Sequence, residues 1–315
     1  MKKLLYIILL ALPFAFVACD NDDVDGPSPA TPTEDFPQGD HDYDQEFVAF
    51  KEKYGTYVLY KFNDTQFRWA VTEYSPYYGV VGDESKVKDG WSLVKAGLEV
   101  WPESFLKGKM PFRILLADSI YSLVDGYDAN WNKVTVKQVQ NSCYGYSHMS
   151  FGVVNDRVNA SDAATKKQFV GDVAYALVGY AASKGTLSIP ESFDTLFTRY
   201  KDHYSTSMAT NSGGYVNEWG YNGAGTLEGS VAVDKYTVSH DFALFVKYMV
   251  MMSPETFEEK FLNENFDCGG FHNQSWTEFY PEHPVRRKYE AVRDYFKDVL
   301  GIDLSAIGTK TEQMQ

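Results

Sequence analysis

Residues 161–184 read SDAATKKQFVGDVAYALVGYAASK, and Gly185 follows. Ser161 and Asp162 are residue types that open a helix by accepting a backbone N–H of its first turn. Phe169, Val173, Ala176, Leu177 and Tyr180 recur at the three- and four-residue spacing that lines up one helical face. Glycine tolerates the left-handed backbone at a helix exit, so Gly185 closes the pattern. The stretch predicts a helix from Asp162 to Lys184 with one face in a core.

Working upstream, Met149 to Val154 and Phe112 to Ala117 (FRILLA) are apolar runs of strand length, and Lys86 to Trp101 has helical spacing. Thr56 to Phe62 (TYVLYKF) and Gln66 to Thr72 (QFRWAVT) are β-rich, and Asn63-Asp64-Thr65 between them predicts a hairpin turn. Asp42 to Tyr54 carries Phe47, Phe50 and Tyr54 as a helix ended by Gly55. Downstream, a Gly-, Asn- and Tyr-rich loop runs from Asn211 to Gly229, and Val238 to Met252 reads as a very apolar helix. Ser253-Pro254-Glu255 opens another helix. Pro284 to Leu300 is amphipathic through Tyr289, Val292, Phe296 and Val299, with Gly301 as its stop. Mixed strands followed by helices predict an α+β fold, and no compositional break divides residues 40–308, so one domain is expected there, with 309–315 as a tail.

The N-terminus is of another kind. MKKLLYIILLALPFAFVAC has two lysines, an apolar run and small Ala18 before Cys19, the pattern of a lipoprotein signal peptide over residues 1–18. The run is shorter than the roughly 20 residues that cross a bilayer, so Cys19 and its lipid would be the anchor. Asp20-Asn21-Asp22-Asp23 resembles the acidic tag of lipoproteins carried to the outer face of the outer membrane. Residues 19–39, rich in Pro, Asp, Thr and Ser, read as a flexible tether. An outer-membrane lipoprotein facing the cell exterior is expected.

A formal net charge of −14 opposes binding to a phosphate backbone, so nucleic acid is excluded as a partner. Besides Cys19 the chain has Cys143 and Cys268. An oxidising envelope permits them to pair, two buried thiols are the other reading, and their spacing matches no zinc cluster. A G-x-S-x-G elbow is missing, which removes one hydrolase class.

The order of these segments resembles a known family, the zinc metallohydrolase lipoproteins associated with outer-membrane substrate importers. The resemblance runs from Cys19 through FVAFKEKYGTYVLYKFNDTQFRW, PFRILLA, GDVAYALVGY, GGYVNEWG and SHDFALFVKYMVMMSPETFEEKF to YFKDVLGIDL. It implies a zincin-like metallopeptidase fold with a mixed sheet and a helical C-terminal half. In active members the helix matching Asp162 to Lys184 carries HExxH, two zinc-binding histidines one turn apart with a glutamate that activates water.

Here that motif reads Gly171-Asp172-Val173-Ala174-Tyr175, so both histidine positions have lost their imidazole. Asp172 keeps a carboxylate at the general-base position. The family's later acidic motif resembles His240-Asp241-Phe242-Ala243-Leu244, which puts His240 near the third ligand. A lone His240 with Asp172 does not make a tetrahedral zinc site. The degenerate positions Gly171, Asp172, Tyr175, His240 and Asp241 therefore predict a pseudoenzyme with no metal and no cofactor. The alternative is an active zinc metallopeptidase with an altered ligand set of His240, Asp172 and Glu228. His240 also reads as a helix-entry residue, and His148, His272 and His283 as structural or surface groups.

A degenerate cleft retained on the cell surface implies binding in place of hydrolysis. Tyr175 and the loop residues Tyr215, Trp219 and Tyr221 are the expected lining, since Tyr and Trp give flat apolar faces with a polar edge. The expected ligand is a glycan or a peptide, and the expected partner an outer-membrane nutrient importer.

Overall fold

The computed structural model describes residues 34–71, 74–201, 227, 237–263, 266–267 and 283–314. Helix α1 (Asp42–Tyr54) begins where the buried Asp44 carboxylate accepts the His41 N–H at 3.0 Å and the Tyr60 hydroxyl at 3.2 Å. It ends at Gly55, whose φ of 72° is the left-handed exit that glycine permits. Strand β1 (Tyr57–Leu59) follows.

The hairpin expected over 56–72 does not form. Asp64–Arg68 is a short helix, α2. Asn63 Oδ1 accepts the Gln66 N–H while Gln66 Oε1 accepts the Asn63 N–H, both at 2.9 Å. This reciprocal capping box satisfies two orphan donors locally and outweighs the β propensity of QFRW. β1 pairs instead with a strand more than fifty residues on.

After β2 (Tyr77–Val80) come α3 (Val87–Glu99), the short α4 (Glu103–Leu106) and five strands, β3 (Arg113–Ala117), β4 (Ser119–Tyr127), β5 (Lys133–Gln140), β6 (Ser142–Tyr144) and β7 (His148–Gly152). They form two sheets. One has the order β1-β3-β7-β6, with β1, β3 and β7 parallel and β6 antiparallel along its edge. Ile114, Leu115, Leu116 and Ala117 of β3 are all fully buried, which is why this strand reads as an unbroken apolar run. The other sheet is the antiparallel meander β2-β4-β5. Its β4–β5 ribbon was not foreseen, because β5 is exposed nearly throughout and lacks a regular apolar face.

Helix α5 (Ala163–Ser183) is the predicted long helix, opened by Asp162, whose carboxylate accepts the Thr165 N–H at 2.7 Å. It packs against α3, β6 and the apolar helix α7 (Val238–Met251). At its approach to α3 a Cβ on Gly97 would stand 2.7 Å from Val173 Cβ, so the glycine sets the closeness of the two helices.

Around α7 gather α6 (Glu191–Lys201), α8 (Pro254–Phe261), α9 (Pro284–Asp294) and α10 (Leu304–Glu312). Phe242 and Phe245 of α7 are fully buried against Phe193 of α6, each stabilising the fold by about 1.5–3 kcal/mol. The helix expected over 284–300 widens into a π-type turn at Tyr295–Val299. The boundary drawn at 308 is also corrected. α10 runs to Glu312 with Thr311 fully buried, so the folded body includes the segment read as a tail. Pro37–Gln315 forms one compact unit. The architecture is α+β with a mixed sheet and a helical second half.

Candidate functional site

The side chains singled out in the sequence sit on α5 and at the start of α7. Thr237 opens α7, its hydroxyl accepting the His240 N–H at 3.2 Å, so the cap is Thr237 and the His240 imidazole is left for other contacts. The Tyr175 hydroxyl lies 2.7 Å from His240 Nδ1, with the two rings edge to face at 5.6 Å between centroids. Tyr144 of β6 tilts against Tyr175 at 5.7 Å, and its own hydroxyl bonds to Thr237. Burial pushes the Tyr144 pKa above the usual phenol value, so this hydroxyl stays protonated.

One turn earlier on α5, Asp172 is 2% exposed and almost encircled. Its Oδ1 is 3.2 Å from Lys247 Nζ of α7. Gln168 Nε2 donates to both oxygens at 3.1 Å, and Asn141 Nδ2 donates to Oδ2 at 3.2 Å. The ammonium compensates the buried charge and the amides satisfy its lone pairs, as a buried carboxylate requires.

Gly171 faces the same helix contact. A Cβ there would come 2.1 Å from Met251 Sδ and 3.2 Å from Lys247 Cγ, so α7 side chains fill the space in front of it. Asp241 turns away. It meets Lys288 of α9 at 2.6 Å, both residues fully buried, and the Phe193, Phe197 and Phe245 rings stand 5.5–6.0 Å from that ammonium. Burial lowers the Lys288 pKa, but the Asp241 charge opposes the shift.

Zinc fits this donor set poorly. The first motif position has no side chain and no room, the second is a phenol hydrogen-bonded to His240, and the base position carries a compensating lysine. Among the described residues no group of three or more His, Cys, Asp or Glu side chains gathers as a metal site would need. Glu228, the remaining member of the alternative ligand set, lies outside the described residues, as do Cys19, Tyr215, Trp219, Tyr221, Cys268 and His272.

Sequence reasoning missed Lys247, Gln168 and Asn141. Lys247 had a readable signal, being the lone basic residue in the apolar run 242–252, where a charge needs a partner. Cys143 is a buried free thiol, 3.4 Å from the Ser150 hydroxyl, and burial pushes its pKa up to about 12. His148 is buried in β7 and His283 bonds through Nδ1 to the Asp267 carbonyl at 2.7 Å, so both have structural positions.

No family profile and no curated protein matches the chain. Among solved structures it is similar to a candidate zinc-binding metallo-peptidase from Bacteroides caccae. The two share 13% identity at a TM-score of 0.49, over 87% of this chain and 92% of that one. This is a distant likeness of chain course, and no chemistry is carried across it.

Proposed function

We propose that this chain is a surface-anchored bacterial lipoprotein that binds a glycan or peptide beside an outer-membrane importer, and that its α5–α7 centre is a zinc metallohydrolase site that has lost its chemistry. The observation that carries the reading is the 3.2 Å contact between Lys247 Nζ and the buried Asp172 carboxylate. A carboxylate acting as general base needs a metal-acidified water beside it and lone pairs free to take the proton. Here a fixed ammonium supplies the positive charge and two amides spend the lone pairs. Lys247 thus stabilises the carboxylate where a metal would have put it to work.

The anchor part of the proposal rests on residues 1–19, and no helix among the described residues is long and apolar enough to cross a membrane. Elemental analysis of purified protein, with peptide hydrolysis assayed on the same sample, tests the centre. Zinc well below one per chain and no hydrolysis are expected. About one tightly held zinc per chain, lost in His240→Ala, would favour the altered-ligand enzyme and overturn the proposal. Membrane fractionation of Cys19→Ala tests the anchor, since unchanged recovery of the variant with the outer membrane removes that part of the reading.

A further inference from the structure

Parallel strands β3 and β7 end at Ala117 and Gly152, and beyond their carboxyl ends, beside the entry of α5, lies a cleft of about 470 Å³. That volume is within the range of small-molecule sites, about 300–1,000 Å³, and carboxyl ends of parallel strands are where open sheets hold ligands. The chemistry of its lining can be counted group by group.

Of the four side-chain amides in the lining, those of Asn141, Asn155 and Gln168 give their N–H groups to the protein, and Gln140 makes the fourth. Asn155 Nδ2 donates to the Asp118 carbonyl at 2.6 Å and the Gly152 carbonyl at 3.3 Å. Asn141 and Gln168 both turn their amide nitrogens onto Asp172, which fixes their orientation and leaves Asn141 Oδ1 and Gln168 Oε1 as acceptors. Arg157 gives one guanidinium nitrogen to the Asp118 carbonyl and carboxylate, at 3.0 and 3.4 Å, and keeps its other N–H groups. The cleft thus offers acceptor oxygens together with donors from Arg157, Gln140 and Ser119, the mixed lining that a polyol's hydroxyls match.

Charge decides what such a lining suits. Asp118 is paired with Arg157, Asp172 behind the wall is paired with Lys247, and Asp162 sits at the N-terminus of α5, where the helix dipole favours a negative group. Each carboxylate already has its compensation, so little net field remains to select a cation. A neutral ligand with many hydroxyl donors meets the free acceptors without adding charge, and Val139, 60% exposed, gives it an apolar wall.

We infer that this cleft is a saccharide-binding site, holding a pyranose-sized polyol through the Asn141 and Gln168 oxygens, the Asp118 carboxylate and Arg157. The inference deepens the binding reading above and rests on it, while zinc content stands or falls separately on the same sample.

The test is saturation-transfer NMR on the purified full chain in detergent, with glucose, galactose, mannose, xylose and N-acetylglucosamine as probes and cyclohexanol as a control with a single hydroxyl. Transfer to at least one sugar and little to cyclohexanol is expected. Ala164→Trp, at an exposed position of the first turn of α5, fills the cleft and should abolish the signal. Asn141→Leu removes one acceptor and should weaken binding about tenfold. Thermal midpoints report whether each variant is folded. The inference is overturned by no transfer to any of the sugars, by transfer unchanged in a folded variant of either kind, or by cyclohexanol behaving like the sugars.

Discussion

The Tyr175 hydroxyl and His240 Nδ1 are 2.7 Å apart, although 65 residues separate them along the chain. The bond ties the second motif position on α5 to the start of α7, so two segments paired in the sequence by resemblance are also neighbours in space. Tyr175→Phe keeps the ring against Tyr144 and removes the hydroxyl that bonds to His240. Urea unfolding should show a loss of about 1 kcal/mol, the usual net worth of one hydrogen bond. An unchanged midpoint would mean that water serves His240 equally well.

The Asp241–Lys288 pair is the larger structural commitment. Both residues are fully buried, so removing one partner strands a charge among the Phe193, Phe197 and Phe245 rings. Lys288→Met is expected to cost about 3–5 kcal/mol, and the double variant Asp241→Leu with Lys288→Met much less, because the desolvation penalty disappears with both charges. Equal costs for the single and double variants in chemical denaturation would contradict this.

The start of α9 is capped by Asp267, which lies 18 residues before Val285 in the chain. His283 precedes α9 without a side-chain cap and holds a left-handed φ of 57°. Asp267, fully buried, accepts the Val285 N–H at 2.9 Å and the Arg286 N–H at 3.0 Å. Asp267→Ala should destabilise the chain by about 1–3 kcal/mol through the two orphaned donors. Hydrogen exchange should locate the loss at those amides, and unchanged protection there would refute the role.

What was legible in the sequence was local or fully buried. α5 announced itself through its cap, its apolar period and Gly185, and β3 through an unbroken run of buried residues. α2 was misread because a capping box depends on two side chains folding back on each other, which β propensity does not register. The β4–β5 ribbon offered alternation too weak to stand out. Resemblance singled out Tyr175, Asp172 and His240, but the groups that surround Asp172, Lys247 on α7 and Asn141 before β6, come from separate elements. Their meeting follows from packing, and neither neighbouring sequence encodes it alone.

His148 makes stability depend on pH. Burial, with Arg113 adding to it, pulls its pKa down to about 3, so the folded chain keeps the imidazole neutral. An unfolded chain takes up a proton near pH 6.5, and the native one does not. The folded pKa is the lower, so this stability is complete above pH 6.5 and is lost as pH falls towards 3, at about 1.4 kcal/mol per pH unit. The advantage of wild type over His148→Leu should therefore shrink, or turn into a deficit, between pH 6.5 and 5, where unfolded carboxylates contribute little. An NMR titration placing His148 near 6.5 in the native state would remove the basis for this.

Gly171 lets α5 pack closely on α7. The α5 and α7 backbones approach closely enough that a Cβ would lie 2.1 Å from Met251 Sδ and 2.4 Å from Met251 Cγ. Methionine is unbranched and moves more easily than backbone, so the overlap is relieved partly by a rotamer change and partly by a helix shift. Overpacking of this kind costs about 1–3 kcal/mol, and Gly171→Ala should fall in that range despite the better helix propensity of alanine. Met251→Ala alone leaves a cavity and should cost about 2–5 kcal/mol. Combined, the two changes should interact favourably, the double variant being more stable than the sum of the single losses predicts, because the new methyl enters space that the thioether has left. Strict additivity in a double-mutant cycle would show that the methionine does not hold this position closed. A histidine at 171 needs far more room than alanine, so an imidazole there would demand repacking of α7.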